Sequence, residues 1–137
     1  MSPLSPAAQQ ALEQFQACQQ WEQRARLLLQ WSSQLTELPK DLRTAENLVQ
    51  GCETRVWLVL KQKADAIHFE MACEARLLRG LLALLLVRIE GLNAAQITQI
   101  EINEWFNQLG LSRQLSPSRS NGLNAVLKRM EMLLQEI

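Results

Sequence analysis

The chain has 137 residues, 47% of them hydrophobic, and it balances 14 Lys and Arg against 14 Asp and Glu. That length and apolar share suit one domain with a real core. The zero net charge removes the electrostatic case for nucleic acid or an anionic membrane surface and leaves a protein or small molecule as the expected partner. Cys18, Cys52 and Cys73 are an odd number of cysteines at spacings that match neither a CxxC pair nor a zinc pattern. Neither a disulfide framework nor a metal site is therefore expected, and a reducing cytoplasm fits best.

The opening Met1-Ser2-Pro3-Leu4 has no basic and apolar leader pattern. Ser5-Pro6 reads as a helix start, with Ser at the N-cap and Pro at the first helical position. Behind it Ala8, Ala11, Leu12, Phe15 and Cys18 recur on one helical face, which puts Cys18 on a packing stripe. A second helix carries Trp21, Ala25 and Leu28 to about Gln34 and is broken at Leu38-Pro39. Three β-like runs follow: Asn47 to Val49, Arg55 to Gln62 and Ala66 to Ala72, with Lys63-Ala64-Asp65 as the second turn. A turn centred on Ala64 sets Arg55 opposite Cys73 and brings Cys52 and Cys73 to the same end of the sheet, roughly 10 Å apart. Glu74 to Glu90 predicts a central buried helix stopped by Gly91. Its uncharged apolar run, Leu81 to Val87, falls far short of the roughly 20 residues of a membrane span. Asn93-Ala94-Ala95-Gln96 has capping-box spacing, and Glu104-Trp105-Phe106 opens a turn ending near Gly110. Pro117-Ser118 opens a last helix with Leu123, Val126, Leu127, Met130, Leu133 and Ile137 in a stripe. Trp21, Trp57 and Trp105 sit in apolar patterns and are expected in the core.

The stretch with chemistry is Gly51-Cys52-Glu53-Thr54-Arg55. A glycine bends the backbone sharply, so the thiol after it is presented at the end of a rigid strand instead of being held by packing within a helix. Taken alone, Cys52 also fits an ordinary half-buried cysteine. The thiolate is the reactive form, and a thiol pKa of about 8.5 leaves little of it at neutral pH, so a working thiol gains from a nearby donor or cation. Arg55 is the nearby candidate, opposed by Glu53. A hydrolase needs a histidine base, and His68 falls near the turn end of the hairpin, remote from Cys52. Arg119 stands in the first turn of its predicted helix, where a cation meets the positive end of the dipole; it reaches either solvent or a partner.

Gly51-Cys52-Glu53-Thr54-Arg55-Val56-Trp57-Leu58, Arg79-Gly80-Leu81-Leu82-Ala83 and Ser116-Pro117-Ser118-Arg119-Ser120-Asn121-Gly122-Leu123 together resemble the SufE/CsdE family of sulfur acceptors for cysteine desulfurases. Trp21-Glu22, Leu38-Pro39 and Trp105-Phe106 extend the likeness over nearly the whole chain. The resemblance implies that Cys52 accepts sulfane sulfur from a persulfide on a pyridoxal-phosphate-dependent desulfurase of SufS or CsdA type. The sulfur then passes toward a downstream acceptor or scaffold of iron–sulfur cluster assembly, and the chain needs no cofactor of its own. It also implies that Gly51, Glu53, Arg55, Glu74 and Arg119 face the partner. The family's Gly-Asp-Ser ahead of the acid is replaced here by Met71-Ala72-Cys73, so Cys73 is either a quiet serine-sized substitution or a second thiol for sulfur handling.

The expected architecture is a single α+β domain over residues 1–137, a three-stranded antiparallel sheet covered by helices. Cys52 sits on the loop between the first two strands. A persulfide open to solvent is lost to reductants, so Cys52 is expected to be tucked against apolar residues and everted when a partner binds. The other reading of the same residues is a non-catalytic helical adaptor with incidental cysteines.

Overall fold

The computed structural model describes residues 4–115 and 121–137. Helix α1 (Pro6–Gln16) begins where Ser5 Oγ accepts from Ala8 N at 3.1 Å, and it buries Ala8, Ala11 and Phe15. It stops before Cys18, so that residue lies off the packing stripe, half-exposed, with its thiol donating to Gln14 O at 3.5 Å. The Cys18 carbonyl accepts from Arg24 Nη2 at 3.3 Å, which replaces the bond a further helical turn would have made. Helix α2 (Trp21–Trp31) follows, with Gln23 Oε1 receiving the Gln20 N–H at 3.2 Å. Trp21 is its first residue and is 37% exposed, not part of the core.

Strands β1 (Val56–Lys63) and β2 (Ala66–Cys73) form one antiparallel hairpin. The sheet has two strands where three were expected. Residues 45–47 close a 3₁₀ turn instead of extending, and the predicted first strand shrinks to one bridge, Leu48 to Trp57, with Val49 N donating to Val56 O at 2.8 Å. Gly51 then turns the chain away at φ +85°. On the other edge Leu38 N donates to Met71 O at 3.1 Å, and Pro39, with no N–H, ends that pairing. The register also differs by one residue from the expectation. The tight turn is Ala64-Asp65, with Ala64 at φ 55°, so Val56 faces Cys73 and Arg55 falls opposite Glu74.

Helix α3 (Arg76–Ile89) is the centre of the core, with Gly80 to Leu85 and Ile89 buried. Glu74, expected as its first residue, still belongs to the hairpin, because its N–H donates to Arg55 O at 3.2 Å. Leu77, on the outer side of the first turn, is 44% exposed. Gly80 is where α2 comes closest: a Cβ there would press into the Leu28 carbonyl oxygen and 2.9 Å from Leu28 Cδ1. Gly91 at φ +83° ends the segment, and Leu92 O then accepts from Ile67 N at 2.9 Å, tying α3 to β2.

Helix α4 (Ala94–Thr98) has the predicted box, Gln96 N to Asn93 Oδ1 at 2.8 Å and Asn93 N to Gln96 Oε1 at 3.0 Å. Helix α5 (Ile102–Gln108) buries Trp105 and Phe106, and the indole of Trp105 donates to Leu84 O at 3.1 Å. Helix α6 (Asn121–Gln135) buries Leu123, Val126 and Met130, while Ile137 lies past its end, 57% exposed. The predicted Pro117-Ser118 helix start and Arg119 lie outside the described residues. No helix among the described residues is long and apolar enough to cross a membrane.

Candidate functional site

The site forms where the 50–55 loop is enclosed by the first turns of α3 and α6. Gly51 holds the left-handed backbone that turns the chain between the Leu48 bridge and β1. A Cβ there would meet open space, so the demand for glycine comes from φ and not from crowding. Cys52 follows, half-buried and packed against the apolar core cluster, while Gly51 and Glu53 on either side are exposed. Its Sγ points at α6: a Cβ built on Gly122 would stand 3.0 Å from it and 2.7 Å from Leu78 Cδ2. The sulfur is therefore neither open to solvent nor sealed away.

Leu78 and Gly122 were given no role from sequence. A glycine early in an apolar helical stripe does signal a close approach, but nothing local says what approaches. The bare face of Gly122 admits the thiol. Gly122→Ala is expected to push Cys52 and Leu78 outward and raise the alkylation rate of Cys52 by iodoacetamide several-fold. Thermal stability should change little, because the alanine adds about 1 kcal/mol of helix propensity against a contact with movable side chains. An unchanged rate would show that Gly122 does not shield the sulfur.

Arg55 does not turn toward Cys52. Its guanidinium forks onto the Glu74 carboxylate, Nε to Oε1 at 3.1 Å and Nη2 to Oε2 at 2.9 Å, and lies 5.7 Å from the Trp57 ring centre. Both partners are substantially exposed, 66% and 48%, so the pair contributes about 0–1 kcal/mol to stability. It does hold the start of β1 to the end of β2 next to the 50–55 loop. Arg79 behind it donates to Glu37 Oε1 at 2.9 Å, binding α3 to the segment that follows α2.

Cys73 is buried at the rung opposite Val56, and its Sγ donates to Ala75 O at 3.6 Å. Burial pushes its pKa up, the charges of Cys52 and Glu74 add to this, and the Arg79 guanidinium opposes it. The sign for stability follows: the folded chain holds this proton to higher pH than the unfolded one. The contribution is complete below the ordinary thiol range and is lost as pH rises through the raised value. Cys73→Ala should accordingly flatten the fall in thermal midpoint on the alkaline side of the thiol range, as read by melting curves from neutral to alkaline pH. An identical alkaline slope would contradict it.

His68 stands far down the hairpin opposite Lys61, with Nε2 3.6 Å from Glu70 and Nδ1 3.6 Å from Glu90, and takes no part in the site. Beside the Gly51 turn, Leu48, Gln50, Gly51, Ala125, Lys128, Arg129 and Met132 line a cleft of about 430 Å³. Among the described residues, no group of three or more His, Cys, Asp and Glu side chains is placed to hold a metal ion.

A half-buried thiol on a glycine turn, bordered by a cationic and apolar cleft, is suited to thiol exchange chemistry. Comparison with known proteins supplies the family. The SufE family, described as an Fe-S metabolism associated domain, matches residues 9–134. The chain belongs to the SufE family. An uncharacterized SufE-like protein of Rhizobium meliloti (strain 1021) is 36% identical over 126 residues, covering 89% of this chain and 90% of that one. Among solved structures, the solution structure of a hypothetical protein from Thermus thermophilus superposes with a TM-score of 0.75. It covers 98% of this chain and 97% of its own at 20% identity, a likeness of fold. The SufE assignment ties the chain to iron–sulfur metabolism.

Proposed function

We propose that this chain is a sulfur acceptor. It takes persulfide sulfur onto Cys52 from a pyridoxal-phosphate-dependent cysteine desulfurase of SufS or CsdA type, stimulates that enzyme, and passes the sulfur toward iron–sulfur cluster assembly. On this reading residues 1–137 are one SufE-like domain working in the cytoplasm, and Gly51, Glu53, the Arg55–Glu74 pair and Arg119 face the desulfurase.

The observation that carries the reading is the setting of Cys52: on the Gly51 turn, half-buried, with its sulfur against Leu78 and the bare face of Gly122. The Cys52 thiolate attacks the outer sulfur of the partner's Cys–S–SH. A new sulfur–sulfur bond forms at Cys52, the old one breaks, and the partner's thiolate leaves with the bonding electrons. The number of disulfide-level bonds is unchanged, so no oxidant is required. Gly51 lets the loop swing without strain in side-chain packing, and the resulting persulfide can return to its shelter between α3 and α6.

Incubation with a cysteine desulfurase and free cysteine, followed by peptide mass spectrometry, is expected to find one added sulfur on the Cys52 peptide. The absence of that adduct, with desulfurase stimulation intact, would favour the adaptor reading instead.

A further inference from the structure

Cys73 is a nucleophilic side chain beside the acceptor that this transfer leaves unused. It ends β2 opposite Val56, and the next rung joins Glu74 N to Arg55 O at 3.2 Å. Cys52 lies three residues before Arg55, within about 11 Å of chain. The Cys52 sulfur turns inward, toward Leu78 and Gly122. Both thiols pack into one apolar cluster, near enough that charge on Cys52 opposes ionisation of Cys73. Gly51, immediately before Cys52, holds the backbone at φ +85°, and the 51–55 loop that it opens can supply the approach that a sulfur–sulfur bond needs.

We propose that Cys73 is a resolving thiol: it attacks the inner sulfur of a Cys52 persulfide, closes a Cys52–Cys73 disulfide and expels hydrosulfide. The step rests on the acceptor reading, because the persulfide is its substrate. Cys73 gives up its S–H proton and its sulfur bonds to Cys52 Sγ. The bond from Sγ to the outer sulfur breaks, and hydrosulfide leaves with both electrons and takes up that proton. The outer sulfur is reduced by the same two electrons that the cysteine pair loses, so no external oxidant enters.

Attack on the outer sulfur instead would leave a persulfide on Cys73. A persulfide ionises more readily than a thiol, and a buried apolar position disfavours the anion, whereas an uncharged disulfide suits it. Burial of Cys73 also keeps it protonated and slow. A partner that arrives promptly therefore takes the outer sulfur first, and only a stranded persulfide is discharged. The disulfide leaves Cys52 blocked until a thiol reductant reopens it.

The test uses the full chain carrying Cys18→Ser, loaded with inorganic polysulfide and desalted, then followed by sulfide release and by intact and non-reducing peptide mass spectrometry. The expected course is decay of a species with one sulfur on Cys52 into one lacking two hydrogens. A Cys52–Cys73 crosslinked peptide should appear with one sulfide per crosslink, and faster as pH rises. With Cys73→Ala added, the sulfur should remain on Cys52 several-fold longer. Equal lifetimes, or migration of the sulfur to Cys73 without a crosslink, would overturn the proposal. Should Cys73→Ala not fold, Cys73→Ser takes its place and the crosslinked peptide of the parent protein decides alone. Polysulfide needs no desulfurase, so a crosslink seen with polysulfide but not with desulfurase and cysteine keeps this step and refutes the donor. No adduct on Cys52 from either source overturns both.

Discussion

Cys52→Ser is expected, on the proposed acceptor reading, to bring desulfurase turnover down to the rate of the desulfurase alone and to leave no sulfur adduct at position 52. Serine preserves the size of the side chain beneath Gly122 and Leu78, so the fold and the docking surface should persist. What it removes is the nucleophile: a hydroxyl is not measurably ionised at neutral pH and cannot carry sulfane sulfur. On the proposed reading stimulation depends on the acceptor clearing the donor's persulfide, so the loss should be complete, not partial. The measurement is cysteine-dependent alanine formation by the desulfurase with wild type or Cys52→Ser, alongside circular dichroism to show the variant folded. A folded Cys52→Ser that still stimulates fully would mean the chain acts by contact alone.

Gly80→Ala should be the most destabilising small substitution in the core. The added methyl would collide with the Leu28 carbonyl oxygen, a backbone atom that rotamer changes cannot move, and with Leu28 Cδ1 at 2.9 Å. Helix α2 would have to retreat from α3, at an overpacking penalty of about 1–3 kcal/mol. The helix-propensity gain of about 1 kcal/mol for Gly to Ala offsets part of this in the best case. Since Leu28 is fully buried, separating the helices also opens voids around it, which argues for the upper end. The expected outcome is a thermal midpoint lower by roughly 5–10 °C for a domain of this size. A midpoint within 1–2 °C of wild type, about the effect of a neutral surface change, would show that α2 and α3 have slack at this crossing.

Much of the backbone was legible because its signals are local. Ser5-Pro6, the Asn93 to Gln96 box, Gly91 and Gly110 set helix ends through hydrogen bonds and dihedral angles within a few residues. Gly51 marked the bend before Cys52 for the same reason. Errors arose where a local pattern competed with a neighbour. Residues 47–49 look extended, but the 3₁₀ turn before them and Gly51 after them leave room for one bridge instead of a strand. The hairpin slipped by one position because the turn holds two residues, Ala64 and Asp65, a choice made by the Ala64 conformation. That slip matters for the site, since it pairs Arg55 with Glu74 and moves Cys73 opposite Val56. Trp21 shows the limit of periodicity, which reports a face but not whether anything covers it.

By itself the sequence determined the α+β character, the helix ends fixed by Ser5-Pro6, the Asn93 box and Gly91, the family likeness and the placement of the Cys52 thiol on a glycine turn. Tertiary structure alone decided what surrounds that thiol: Leu78 from α3, the open face of Gly122 from α6, the engagement of Arg55 by Glu74, and a buried Cys73 close by. The division has a physical cause. Turns and caps are settled by bonds between near neighbours in the chain, whereas shelter of a sulfur needs side chains from distant segments to meet. That meeting depends on how closely α2, α3 and α6 pack, which no short stretch of residues encodes.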